Sequence, residues 1–330
     1  MKLLKFLTLT ILLSASNSNV WTMEAKQASV SEESDLKKIF NEKMKLCFST
    51  NALIQSHALG KIKHNILACD DNGNTLLHYA SAEENGCLYA NMLIRLGAAV
   101  DACNKKGKSP LDVAEETENI AVQDLLKINL HLLKCARNGV LEGVIDALEK
   151  RAYVNVSDSK GYTPLHNAAW KGWRSQDILR LLLSKGAKAV INKKTNDGST
   201  PLHLAASDGY PDNITLLLDA GAKSVINVPD NDGETPLHCA ARNGRARYAI
   251  PLLLAAEASV HSENKKKETP LHIASRNMDD DAFLLLVGAG ADQSKRNSEG
   301  LTAAEVREKY LKRLEQAPRG PIIIYGPISL

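Results

Sequence analysis

Nine histidines, six cysteines and one run of three aspartates are the groups in this chain with chemistry to offer. Five of the histidines, His78, His166, His203, His238 and His272, each close a Thr-Leu-Leu-His or Thr-Pro-Leu-His tetrapeptide, and the last four follow one another at 37, 35 and 34 residues. A histidine that recurs with its local motif at that spacing serves the fold and is not one corner of a metal box. The cysteines Cys47, Cys69, Cys87, Cys103, Cys135 and Cys239 contain no CxxC pair, and no Cys or His pair stands at zinc-finger spacing. Six cysteines in 330 residues are too few for a disulfide scaffold, so free and mostly buried thiols are expected. Asp279-Asp280-Asp281 lacks the alternation and turn glycine of a calcium loop and reads as the charged start of a helix. A phosphate-binding loop, a dinucleotide fingerprint, HExxH and GxSxG are all missing. These residues predict no catalytic centre, no cofactor and no metal.

Lysine clusters raise the question of nucleic acid. Lys105-Lys106-Gly107-Lys108, Lys193-Lys194 and Lys265-Lys266-Lys267 all fall at or beside expected turns. Asp71-Asn72, Asn196-Asp197 and Asn231-Asp232 occupy the intervening turns. A phosphate-binding stripe needs one sign along its length, which this alternation denies. The whole chain is nearly balanced, with 41 basic and 38 acidic residues and a formal charge of +3. A protein partner is expected, and no nucleic acid.

The elements that hold these residues announce themselves by repetition. Thr-Pro-Leu-His stands at 163–166, 200–203, 235–238 and 269–272, with a variant at Thr75–His78 and degenerate copies at Ser109–Asp112 and Thr302–Glu305. In each, threonine suits a helix N-cap and proline the first helical position, where a missing N–H costs nothing. Leu237 and Ala240-Ala241 then face inward, and Ile250, Leu252, Leu253 and Leu254 supply a second apolar helix face. Pro251 lies inside that second helix, where it would bend it if deep. Gly-Ala at 186–187, 221–222 and 290–291 ends the second helix with a left-handed cap. No such unit can bury its apolar stripe alone, so stacking must do it.

The steps between the threonine or serine positions are 34, 54, 37, 35, 34 and 33. With the Thr-Pro-Leu-His core, this register resembles the ankyrin repeat over about residues 60–310. The resemblance implies an all-α solenoid of stacked helix–turn–helix units with short β-hairpin tips. The 37 and 35 carry short insertions before or after the second helix. The 54 predicts a shortened repeat at 130–158 that has lost its hairpin and keeps a helix pair, His131–Asn138 and Leu141–Lys150. Lys267 stands where other tips have a glycine, which puts the geometry of that turn in question.

Around the array, residues 1–16 read as a secretory signal peptide: Lys2 and Lys5, an apolar Phe6–Leu13, then Ser14-Ala15-Ser16. Its loss would lower the charge from +3 to +1. Residues 17–33 read as a polar linker and 34–69 as a divergent N-terminal capping helix pair. Repeats follow at 70–129 and 159–301, and a C-terminal capping repeat at 302–316. Residues 317–330 read as a flexible tail, a strand or a short docking peptide. The mature chain is expected to carry no membrane span, to be monomeric, and to be periplasmic or secreted.

By resemblance, an ankyrin array binds its partner through hairpin tips and the inner helix face. The matching positions are Ser159, Lys160, Tyr162, Trp170 and Lys171 in one repeat, and Asn196, Asp197, Ser199, Ser207 and Asp208 in the next. Then follow Asn231, Asp232, Glu234, Arg242 and Asn243, and finally Lys265, Lys266, Glu268, Arg276 and Asn277. Tyr162 and Trp170 are large aromatics at positions free to be polar, and such residues anchor interfaces. Trp173 and Tyr210 follow helix-turn positions and are expected to pack between repeats. The resulting reading is a non-catalytic, exported protein–protein interaction scaffold, with a host-directed partner as one form of it. The alternative is a periplasmic structural or stress-protective accessory that stabilises a partner of the same cell.

Overall fold

In the computed structural model, residues 37, 40–42, 52–170, 172–242 and 244–316 are described. The signal segment, the linker, Leu36, Ile39, Met44, Cys47, Lys171, Asn243 and the tail from 317 lie outside them, as do the side chains of Leu53, Ile54 and Trp173. No described helix is long and apolar enough to cross a membrane.

One local device is used over and over. Thr163 is the N-cap of Pro164–Ala169; its N–H donates to His166 Nδ1 at 3.3 Å and its hydroxyl lies 2.8 Å from the same nitrogen. The same cap opens Leu76–Ala82, Pro201–Asp208 and Pro270–Arg276. Because Nδ1 accepts, the ring proton sits on Nε2, and Nε2 donates to a carbonyl of the following repeat. Its partners are Lys108 for His78, Lys193 for His166, Glu234 for His203, Glu268 for His238 and Leu301 for His272, at 3.0–3.2 Å. The histidines therefore cap one helix and fasten the next turn, as their repetition predicts.

The chain divides into two compact units at Asn196/Asp197. In the first, α1 (Ala52–His64) precedes α2 (Leu76–Ala82), α3 (Gly86–Leu96), α4 (Pro110–Glu116), α5 (Ile120–Asn138), α6 (Leu141–Glu149), α7 (Pro164–Ala169) and α8 (Gln176–Ser184). Inner helices α2, α4 and α7 carry the Thr or Ser caps. Outer helices such as α3 and α8 bury Leu93, Ile94, Ile178, Leu179 and Leu182 against them. Each such leucine stabilises by about 1.5–3 kcal/mol relative to exposure.

The second unit runs through α9 (Pro201–Asp208), α10 (Pro211–Asp219), α11 (Pro236–Arg242), α12 (Ala246–Ala255), α13 (Pro270–Arg276), α14 (Asp280–Gly288) and α15 (Ala303–Gln316). Inner helices α9, α11 and α13 pack in sequence, and α15 closes on α13. Leu237, Ala240, Ala241, Ile250 and Leu253 are fully buried. Pro251 is exposed and α12 continues past it, leaving the Arg247 carbonyl without its helical donor. The insertions fold as 3₁₀ turns, Gly172–Ser175 and Ala187–Val190 in the first unit and Ala222–Val225 in the second.

Two expectations change. The helix pair expected at His131–Asn138 and Leu141–Lys150 does not start with a separate helix: α5 is continuous from Ile120 to Asn138. No glycine or proline interrupts those residues, so the outer helix of one repeat runs directly into the inner helix of the next. The helix packs on α3 and α4 before it and on α6 and α7 after it. The missing loop is bypassed. Val100 N–H donates to the Ser157 carbonyl at 3.1 Å, and Ser159 N–H to Asp101 Oδ1 at 2.5 Å. Asn129, fully buried in α5, accepts from Tyr153 N–H at 2.8 Å and ties down the loop after α6. The cysteines are also less buried than expected. Cys135 and Cys239 are buried and Cys87 is half-buried, but Cys69 and Cys103 are exposed; all five are free thiols.

Candidate functional site

Tip backbones are locked before their side chains are considered. In the first unit Lys105 N–H donates to the Asn72 carbonyl and Asn196 N–H to the Lys160 carbonyl. In the second, Asn231 N–H donates to Asp197, Lys265 N–H to Asp232 and Ser298 N–H to Lys266, all at 2.8–3.0 Å. Within each tip an Asp or Asn folds back on its own turn: Asp158 Oδ1 accepts from Lys160 and Tyr162 N–H, and Asp230 Oδ1 from Asp232 and Glu234 N–H. Close approach demands glycine at Gly198, where a Cβ would come within 2.6 Å of the Asn231 nitrogen. Lys267 keeps the turn without glycine by adopting a left-handed φ of 55°, and its N–H still donates to the Asn264 carbonyl at 2.8 Å. The tips are thus rigid mounts.

Two positions in each repeat face each other across tip and inner helix: the residue just before the capping Thr or Ser, and the residue seven after it. In three repeats these two close an ion pair. Lys108 meets Glu116 at 2.5 Å, Glu234 meets Arg242, and Glu268 meets Arg276 at 2.6 Å. Glu234 and Glu268 are buried, so the structure withdraws both from the exposed surface assigned to them. Asn264 also donates to Glu268, at 3.2 Å. Ser199 is likewise buried, and its hydroxyl donates to Asp197 Oδ2.

In the repeat that starts at Thr163 the same two places hold Tyr162 and Trp170. Tyr162 is half-buried and packs edge-on against the His166 ring at 6.0 Å. Trp170 ends α7 and is 56% exposed. Ser159, Lys160 and Asn196 of the first unit are exposed, as are Asp197, Asn231, Asp232, Lys265 and Lys266 of the second. Ser207 and Asp208 are half-buried; Asn277 is exposed and donates to the Arg242 carbonyl at 3.1 Å. Tyr210 packs between repeats as expected, under the Arg245 guanidinium at 4.4 Å.

Sequence reasoning missed a polar node in the first unit. Arg137, at the end of α5, donates to Asp158 at 3.1 Å and to Asn167 at 3.5 Å. Asn167 in turn donates to the Leu133 carbonyl. Burial raises the Asp158 carboxyl above its usual range, and burial holds the nearby Lys193 ammonium below its own. Arg137 occupies the place of Arg242 in a regular repeat, counted back from the helix-ending glycine, and that register was its only signal. Burial also holds the imidazoles of His78, His238 and His272 below their ordinary range. Among the described residues no three His, Cys, Asp or Glu side chains converge where they could hold a metal ion.

Comparison with known proteins adds two findings. A profile for ankyrin repeats in three copies matches residues 132–230 and 222–297, and a single ankyrin repeat profile matches 72–105. No curated protein matches the chain. The threonine cap, the histidine fastened to the following turn and the matched stretches converge on one assignment: the chain belongs to the ankyrin repeat family.

Proposed function

We propose that this chain is an exported, non-catalytic scaffold that grips a partner protein through its hairpin tips and inner helix face. Ankyrin repeats are protein-binding modules, and the scaffold reading follows from the family. One observation carries the choice of surface. Where three other repeats close the tip-to-helix position with an ion pair, the Thr163 repeat leaves Trp170 exposed at 56% beside a hydrogen-bonded tip. Large apolar side chains so presented are the usual anchors of protein interfaces.

Export rests on residues 1–16, and a host-directed partner is the form of the function that export favours. Crosslinking and capture from cells that make the full chain tests both points. Sequencing of the recovered protein should give a new N-terminus near residue 17. Host proteins among the captured partners support the host-directed form, and partners from the producing cell support a periplasmic accessory. Trp170→Ala should weaken capture by about 2 kcal/mol, roughly thirtyfold, with helical circular dichroism unchanged. Unaltered binding by that variant would sink the assignment of the surface.

A further inference from the structure

The shortened repeat changes what the first unit shows to solvent. Five residues before its helix-ending Gly139 stands Lys134, which is exposed. In the other repeats the residue at this place is buried, as at Asn167, Cys239 and Ile273, or half-buried, as at Tyr79, Val113 and Leu204. In the repeat that lacks its hairpin this position of the inner helix face is open to solvent, and a lysine fills it. One turn further along α5, Arg137 reaches Asp158 and Asn167, and one turn beyond Asn167 on α7 stands Trp170. Lys134 and Trp170 therefore flank one polar node.

Three more lysines frame this surface. Lys160 sits on the tip whose Asp158 takes the Arg137 bond, and Lys105 and Lys106 sit on the preceding tip. The two tips are joined at their base, where Asp101 accepts the Ser159 N–H. Lys105, Lys106, Lys134 and Lys160 are all exposed, and none has an ion-pair partner among the described residues. Three acidic groups of the same stretch are already paired with cations: Asp158 with Arg137, Glu115 with Lys127 at 3.0 Å and Glu116 with Lys108. Asp101 keeps its charge and accepts the Ser159 N–H.

We infer that this surface takes an acidic segment of a partner protein that carries one large apolar side chain, with Trp170 receiving the apolar group and the four lysines its carboxylates. The inference rests on the scaffold reading above and deepens it. Charge complementarity supports the acidic partner: four lysines without ion-pair partners, against one exposed carboxylate at Asp71 on the tip bonded to Lys105, accompany Trp170, the large apolar side chain this surface exposes among the described residues. A nucleic-acid strand fits less well, because stacked bases call for successive aromatic platforms and among the described residues this surface exposes one, Trp170.

Selection from a random peptide display library on the full chain tests it. Expected are enriched peptides of net negative charge with an aromatic or leucine residue. Their affinity should fall at least tenfold in the K105E/K106E/K134E/K160E variant and at least tenfold in Trp170→Ala. The four Lys→Gln changes give a milder variant should the charge reversals disturb folding, as far-UV circular dichroism would show; they should still lower affinity severalfold. Enriched peptides without acidic bias, or lysine variants that bind as tightly as the unmodified chain, would overturn the acidic-segment inference alone while the Trp170 effect preserved the scaffold surface. Binding indifferent to Trp170→Ala, or no enrichment at all, would count against both. A twelve-residue oligothymidine that displaces the enriched peptides at equal affinity would assign the lysines to nucleic acid and overturn the inference.

Discussion

The repeats opening at Thr200, Thr235 and Thr269 and the stretch from Gly97 to Asp158 meet the same demand by different means. Each of the three repeats caps its inner helix with a threonine, fastens the next turn with a histidine, and spaces its helices with a loop and a tip. The Gly97–Asp158 stretch contains the shortened repeat at 130–158, which has no threonine cap, carries Leu133 at the histidine position, and lacks a tip before its inner helix and the loop that would lead to it. Its polar closures come instead from Asn129, Asp101 and Arg137, three side chains of unrelated kinds. What the repeat must supply is therefore not its motif but a buried apolar stripe and a partner for every buried backbone group. The motif is the commonest way of meeting both conditions.

If that equivalence is right, core truncations should cost alike in both regions. Leu237→Ala in a regular repeat and Leu132→Ala in α5 remove fully buried side chains, and each should destabilise by about 2–5 kcal/mol in denaturant titration. A negligible change at Leu132 alone would mean that the shortened repeat is only loosely packed. Next in size, Asn129→Ala leaves the Tyr153 N–H without its acceptor and should cost about 1–3 kcal/mol. A loss below about 0.5 kcal/mol, the range of surface substitutions, would show that this asparagine does not stand in for the histidine link.

The smallest contrast concerns pH. His78, His238 and His272 have folded pKa values below the ordinary 6.5, through burial first. Nearby carboxylates pull the other way: Asp70 and Asp112 at His78, Glu234 and Asp230 at His238, Glu268 and Glu263 at His272. An imidazole of depressed folded pKa binds its proton more tightly in the unfolded chain. Stability is then unaffected above about pH 6.5 and falls as pH drops from there toward the folded values. The melting midpoint should decline between pH 7.5 and 5.5, and His238→Gln should flatten that decline. An unchanged slope in that variant would show that its imidazole does not carry a share.

Much of the fold was legible because its signals are short-range. A Thr-Pro-Leu-His tetrapeptide contains both the cap and the group that satisfies it, so periodicity and local chemistry coincide. The continuous α5 is legible only as an absence: nothing between Ile120 and Asn138 stops a helix, while the repeat register points to a break at residue 130. The candidate surface was harder. Glu234 and Arg242 sit eight residues apart, with one on a tip and the other on a helix, so no helical spacing rule pairs them. Their closure, and the burial of Glu268 and Ser199, depend on how a hairpin folds over its own helix. Trp170 stood out because its type conflicted with a position that tolerates polar residues. Lys134 did not, because its exposure depends on what packs over α5, which no local pattern of residues states.

Helix α5 also bears on how the array would come apart. In a regular stack an unfolding front can stop at any boundary between neighbouring units, since each has its own pair of helices. Residues Ile120–Asn138 belong to two repeats at once, so a front arriving there has no place to pause until both have opened. Amide protons from Leu111 to Glu149 should therefore exchange as one cooperative block, larger than the single-repeat steps available elsewhere.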